Sequence, residues 1–134
     1  MRRRLVLSFL CLLACSAPLA LAGTDYCFEH DGLELQQRAC FTINGNKIEG
    51  TFESGGYDKN TSSETFDFTG TRAGRRLTIK FKFRDSPPYE LPPGTKTTIW
   101  KLGKDALEIP MFGKTRRTNR SSAYTAKFER CKNN

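Results

Sequence analysis

Between residues 76 and 84 the sequence is Arg76-Leu77-Thr78-Ile79-Lys80-Phe81-Lys82-Phe83-Arg84. Apolar residues alternate with polar or cationic residues along this stretch, and a period of two is typical of a half-buried β-strand. Successive side chains of a strand point to opposite faces of the sheet. We therefore predict a strand over residues 76–84, with one face on an apolar core and a cationic face toward solvent.

A preceding strand is predicted to pair with this one in a hairpin, with its turn at Ala73-Gly74. A shift of one residue would turn the apolar set toward solvent, so the phase of the pairing is well specified. Apolar side chains then lie opposite apolar ones, and an acid lies opposite a base. The predicted pairs are Phe68 with Ile79, Phe66 with Phe81, and Asp67 with Lys80.

Two further turns predict hairpins when residues are paired outward from the turn in the same way. Asn44-Gly45 is a strong hairpin signal between alternating residues, and Lys104-Asp105 is the second turn. The predicted pairs are Phe41 with Ile48 and Cys40 with Glu49 around the first turn, and Leu102 with Leu107 and Trp100 with Ile109 around the second.

A strand near residues 26–29 and a last strand over residues 123–130, with Tyr124, Ala126 and Phe128 inward, bring the total to about eight. Eight antiparallel strands in a meander close economically into a small barrel, which removes exposed edges. We predict an all-β barrel, with a β-sandwich as the alternative. The architecture is similar to that of lipocalins and avidin. The Gly-x-Trp motif of the lipocalin type is absent and Trp100 is the single tryptophan, so no family is assigned.

The chain begins with features of an export signal. Three of its first four residues are arginines, the run Leu5 to Ala14 is apolar, and Ala20-Leu21-Ala22 is a small-residue cleavage site. We predict a signal peptide over residues 1–22 and one domain over residues 23–134, exported to the periplasm or the extracellular space. Alternatively, Leu12-Leu13-Ala14-Cys15 resembles the lipobox of bacterial lipoproteins, with a signal ending at residue 14 and a lipid anchor on Cys15.

Three cysteines remain in the exported domain. Because export leads to an oxidising compartment, we expect one disulfide and one cysteine left over. In a closed barrel the first long strand meets the last, and Cys40 and Cys131 both fall on the outward phase of those strands. A Cys40–Cys131 bridge is preferred, and Cys27–Cys131 is the second choice.

Charge is unevenly distributed along the 134-residue chain, whose formal net charge is +8. Residues 23–70 contain 3 basic and 9 acidic residues, whereas residues 71–134 contain 16 basic and 5 acidic ones. Such asymmetry indicates an anionic partner. The cations concentrate on the outer face of strand 76–84 and in a loop that contains the predicted contact residues Lys114, Arg116, Arg117 and Arg120.

A second predicted contact element is the proline-rich segment 85–94, which contains four of the six prolines. Proline favours extended, stiff backbone. We expect this loop to present Tyr89 and Leu91 to a partner.

The sequence provides little for catalysis. His30 is the single histidine, and neither a zinc spacing nor a paired-carboxylate motif occurs. We therefore expect no enzyme activity, no cofactor and no metal, and no nucleic acid because no binding motif is present. The preferred function is an exported, non-enzymatic barrel that binds an anionic envelope component or an acidic protein through surface loops, as inhibitor- or immunity-type proteins do. The alternative is a calycin-like barrel for a small ligand. Membrane attachment is expected only through Cys15, and the oligomeric state is left open.

Overall fold

The computed structural model describes residues 22–32, 35–56, 62–92, 94–114 and 121–132. The predicted signal peptide lies outside the described residues apart from Ala22. Eight antiparallel strands form one closed barrel in which each strand pairs with its neighbours in sequence and the last pairs with the first, so the predicted all-β barrel is confirmed. The strands are β1 Thr24–Asp31, β2 Leu35–Asn44, β3 Lys47–Gly56, β4 Glu64–Ala73, β5 Arg76–Phe81, β6 Thr97–Leu102, β7 Ala106–Lys114 and β8 Ser121–Arg130.

Two of the predicted hairpin registers are wrong by two residues. Phe68 lies opposite Phe81 rather than Ile79, and Phe41 lies opposite Gly50 rather than Ile48. The reason is that each glycine is the first of the two turn residues, whereas the prediction made it the second. Gly45 and Gly74 adopt φ of +63° and +62° as the first of the two turn residues, the position that type II′ turns give to glycine.

The inward and outward faces were nevertheless predicted correctly, because a shift of two residues preserves the phase of a strand. Around the third turn the predicted opposition of Leu102 and Leu107 is confirmed. In β8, Ala126 and Phe128 are buried as predicted, whereas Tyr124 is 53% exposed.

Aromatic side chains fill the interior of the barrel. Trp100 and Phe52 are fully buried, and their ring centroids lie 6.3 Å apart. Phe68 meets Trp100 edge-on at 5.0 Å, an arrangement that aromatic quadrupoles favour. The other fully buried large side chains are Phe28, Phe81, Phe128, Ile48, Leu77, Ile79, Leu107 and Ile109.

Gly50 allows two of these rings to meet. It lies in β3 between Phe41 of β2 and Phe68 of β4, whose ring centroids are 6.2 Å apart. A Cβ at this position would collide with the Cys40 carbonyl oxygen and lie 2.5 Å from the Phe41 Cβ. The packing of the interior therefore requires glycine here.

The two ends of the barrel differ. At one end, called here the short-turn end, the connections span residues 45–46, 74–75 and 103–105. At the other, the long-loop end, they span residues 32–34, 57–63, 82–96 and 115–120. Both loops that the sequence analysis singled out connect strands at the long-loop end.

The preferred disulfide prediction, Cys40–Cys131, is wrong because Cys40 is bonded to a different cysteine. Cys27 is bonded to Cys40, directly opposite on β1 and β2, and Cys131 is free. The bridge forms within the first hairpin because the two residues face each other there, with Cα atoms 4.1 Å apart. A closed loop of about 15 residues contributes about 3 kcal/mol in the chain-entropy model. A disulfide is typical of proteins in oxidising compartments.

Replacing Gly50 tests this account of the interior. Gly50→Ala should lower the free energy of unfolding by about 3 kcal/mol, because the added methyl group overpacks the core. Gly45→Ala is the control. A Cβ at Gly45 meets no atom within 4 Å, so only the left-handed backbone costs energy, about 1 kcal/mol. Urea unfolding of both variants measures the difference, and equal losses would contradict the steric role of Gly50.

Candidate functional site

The proline-rich loop does not present its two predicted contact residues to solvent. Leu91 is 8% exposed and belongs to the core, and Tyr89 packs against it. The Tyr89 ring lies 5.4 Å from that of Phe52 and 5.6 Å from that of Phe81. Contrary to the expectation, the loop does not expose Leu91, and Tyr89 is partly buried against the core. The loop covers the aromatic interior of the barrel.

A hydrogen bond fixes this cover to the core. The Trp100 indole Nε1–H donates to the Tyr89 hydroxyl oxygen at 2.9 Å, and the hydroxyl also bonds to the Thr98 side chain. Burial raises the pKa of Tyr89 well above the usual range for a phenol, although both hydrogen bonds act in the opposite direction. Tyr89 thus stays neutral and satisfies an otherwise unpaired buried indole N–H.

The filled interior bears on the alternative of a small-ligand barrel. Small eight-stranded barrels either hold one ligand or fill with side chains, and here rings from β1, β2, β3, β4, β5, β6 and β8 occupy the centre. Among the described side chains no buried polar atom lacks a hydrogen-bond partner, so no unpaired polar group is available inside to orient a ligand. A binding site on the outer surface fits this barrel better.

The outer face of β5 has cations without acidic partners across the sheet. Lys80 lies opposite Thr69 and Thr97, not opposite Asp67 as predicted. The correction follows from the two-residue shift in the β4–β5 register. Arg76 lies opposite Lys101 of β6, and like charges in directly opposite positions are destabilising.

Arg76 and Lys101 border an open groove at the short-turn end, with a volume of about 420 Å³. We call it the cationic groove; Ala73, Arg75, Arg76, Ile99, Trp100 and Lys101 line it. Ile99 is 43% exposed there. A solvent-exposed isoleucine bordered by three basic side chains combines apolar surface with positive charge.

Backbone contacts position the arginine at the turn. The Arg75 Nε–H donates to the Leu102 carbonyl oxygen at 3.0 Å, and the Leu102 N–H donates to the Arg75 carbonyl at 2.8 Å. This holds the guanidinium beside β6. Among the described residues, no carboxylate lies within ion-pair distance of Arg75 or Arg76, whereas Lys101 Nζ lies 3.8 Å from a carboxylate oxygen of Glu108.

The predicted contact residues of the basic loop have no described side chains. Arg116, Arg117 and Arg120 lie outside the described residues, and so does the side chain of Lys114, the last residue of β7. The cationic groove lies at the short-turn end of the barrel. Sequence reasoning marked Arg76 but missed Arg75, Ile99 and Lys101, because the charged pair across β5 and β6 appears only when the register is known.

The described residues show little else that is chemically distinctive. His30 Nδ1–H donates to the Lys127 carbonyl oxygen at 2.9 Å, so the single histidine links β1 to β8. Within the described ranges no group of three or more His, Cys, Asp or Glu residues is arranged to hold a metal ion. The same ranges contain no helix with the length and apolar character needed to span a membrane.

Comparisons of the chain with models of protein families, with curated proteins and with solved structures found no match.

Replacing Tyr89 tests the role of the loop as a cover. Tyr89→Phe should lower the free energy of unfolding by about 1–3 kcal/mol, because the buried Trp100 N–H loses its acceptor. Tyr124→Phe is the matched control, since its hydroxyl lies on a half-exposed ring and makes only a 3.7 Å contact with the Met111 sulfur. Urea unfolding followed by Trp100 fluorescence measures both, and a loss below about 0.5 kcal/mol for Tyr89→Phe would refute the role.

Proposed function

We propose that this protein is an exported, non-enzymatic β-barrel that binds an acidic protein through the cationic groove, in the manner of an inhibitor or an immunity protein. The observation that carries the proposal is the direct opposition of Arg76 and Lys101. Such a pair destabilises the isolated sheet. An anionic partner would neutralise both charges. Binding would therefore relieve the repulsion between Arg76 and Lys101 that destabilises the free protein.

The composition of the groove favours a protein over a lipid headgroup or a glycan. Exposed Ile99 lies among the side chains of Arg75, Arg76 and Lys101. Protein interfaces are enriched in arginine and contain a desolvated apolar centre. A polyanion such as a lipid headgroup layer would contact the basic side chains but would provide no apolar surface to cover Ile99.

Lys101 keeps one intramolecular partner, Glu108, and this pair does not remove the excess of cations. Their side chains are 61% and 48% exposed, and exposed pairs of this kind contribute little. Binding of an acidic partner would compete with this weak pair.

Export remains part of the proposal. The chain begins with a predicted signal peptide, and the Cys27–Cys40 disulfide supports an oxidising destination. The periplasm or the extracellular space, with or without a lipid anchor at Cys15, is where the partner would be found. The basic loop, with Lys114, Arg116, Arg117 and Arg120, is proposed as a second contact element for an anionic partner.

The proposal is tested with the mature domain as bait in the exported fraction of its native source, followed by titration of each captured protein. We expect a partner with an acidic surface, and an affinity that falls at least tenfold for the double variant Arg76→Ser/Lys101→Ser. Removal of two charges that contact the partner directly should produce a loss of that size. Ile99→Ser should weaken binding as well.

The control variant is Lys127→Ser/Lys132→Ser, which removes the same net charge from exposed positions on and after β8. It should retain the affinity apart from a general dependence on salt. Equal losses for the two double variants would show that net charge, not the groove, attracts the partner. Strong binding to phosphatidylglycerol vesicles with no protein captured would favour an envelope component instead.

A further inference from the structure

The three cysteines of the domain lie in one row across three neighbouring strands. Cys27 of β1 lies opposite Cys40 of β2. On its other side, the pairing of Phe28 with Arg130 and of Glu29 with Glu129 sets the register of β1 against β8. One further step places Cys27 opposite Cys131, and the Cys131 N–H donates to the Cys27 carbonyl oxygen at 3.0 Å.

The hydrogen-bond pattern makes Cys27 the central member of the row. In an antiparallel sheet the N–H and C=O of one residue point to the same neighbouring strand, so that hydrogen-bonded and non-hydrogen-bonded pairs alternate. The Cys27 carbonyl faces β8, which makes its pair with Cys40 the closer, non-hydrogen-bonded kind. The pair with Cys131 is of the hydrogen-bonded kind, with a typical Cα separation of about 5.5 Å, which also lies within the range that a disulfide spans.

The three side chains share the outer face of the barrel. The Cys131 thiol hydrogen-bonds to the Glu29 carboxylate. Glu29 follows Cys27 by two residues, so both point outward, and it forms an ion pair with Arg38 at 3.5 Å on that face. The free thiol is therefore on the same side of the sheet as the disulfide.

We propose that this row is an intramolecular thiol–disulfide exchange site. The Cys131 thiol releases its proton to solvent, and the resulting thiolate attacks the Cys27 sulfur. The Cys27–Cys40 bond breaks as the Cys27–Cys131 bond forms, and Cys40 leaves as a thiolate that takes a proton from solvent. One disulfide and one thiol are present before and after, so the exchange needs no oxidant or reductant.

The exchange changes which part of the barrel is held covalently. A Cys27–Cys40 bridge lies within the β1–β2 hairpin, with 13 residues of separation. A Cys27–Cys131 bridge would instead join the first and last strands. Their paired backbone is short, and one of its two residue pairs, Glu29 with Glu129, sets two acids opposite each other. The exchanged form would thus reinforce a strand pairing that has few backbone pairs.

The surroundings of Cys131 make the exchange dependent on pH. Burial and the nearby Glu29 carboxylate raise the pKa of the thiol, while Arg38 acts in the opposite direction. Glu129, on β8 two residues before Cys131, adds a second carboxylate on the outer face. Since only the thiolate attacks, the exchange should be slow at neutral pH and become faster as the pH rises.

The test maps the free thiol of the folded, oxidised mature domain. Samples held at pH 7 and at pH 9.5 are quenched with acid, digested with pepsin at acidic pH and labelled with a maleimide. Mass spectrometry should place the label on Cys131 at pH 7. At pH 9.5 we expect part of the label on Cys40, together with a peptide in which Cys27 is linked to Cys131. The labelled fraction should not depend on protein concentration.

Two variants complete the design. Cys40→Ser should form a Cys27–Cys131 disulfide on air oxidation, whereas Cys27→Ser should keep both remaining thiols free, because Cys40 and Cys131 are separated by β1. Trp100 fluorescence verifies that each variant is folded. The proposal is overturned if the label stays entirely on Cys131 at pH 9.5, if Cys40→Ser keeps two thiols, or if exchange occurs only between molecules. None of these three outcomes bears on the proposed role of the cationic groove.

Discussion

The filling of the barrel interior by side chains is the constraint on which the rest of the structure depends. Eight strands enclose a space that large side chains fill, and aromatic rings among them surround Trp100. The buried indole N–H requires an acceptor, which Tyr89 supplies from the proline-rich loop. The same packing demands a residue without a side chain at Gly50. A loop that resembles a binding element in sequence is therefore part of the core.

Because the interior is occupied, the proposed binding site lies on the outer surface, and closure of the barrel decides how charge is arranged there. The acid-rich first part of the chain forms β1 to β3, and the base-rich second part includes β5 and β6. On the outer face of β4, the threonines at positions 65, 69 and 71, together with one acid, Asp67, lie between these two regions. The cations of β5 consequently do not reach the acids of β1 to β3, and Arg76 lies opposite Lys101.

Much of the fold could be predicted from alternation, and the errors have a common cause. Strand identity, inward phase and the meander follow from a period of two, which a two-residue shift leaves intact. The partners across the sheet do not follow, because moving Gly74 by one place in its turn changes every pair of the hairpin. The Asp67–Lys80 pair was lost in this way. For the same reason the sequence identified only Arg76 among the residues that form the cationic groove.

The sequence by itself determined that the chain forms a β meander with an apolar inner face, and that its cations concentrate in the second half. These properties depend on residues close together in the chain. Only the tertiary structure decided that Cys27 pairs with Cys40, that Tyr89 and Leu91 turn inward, and that Cys131 lies beside the disulfide. These contacts depend on register and on closure between the first and last strands, which bring together residues that no local pattern relates.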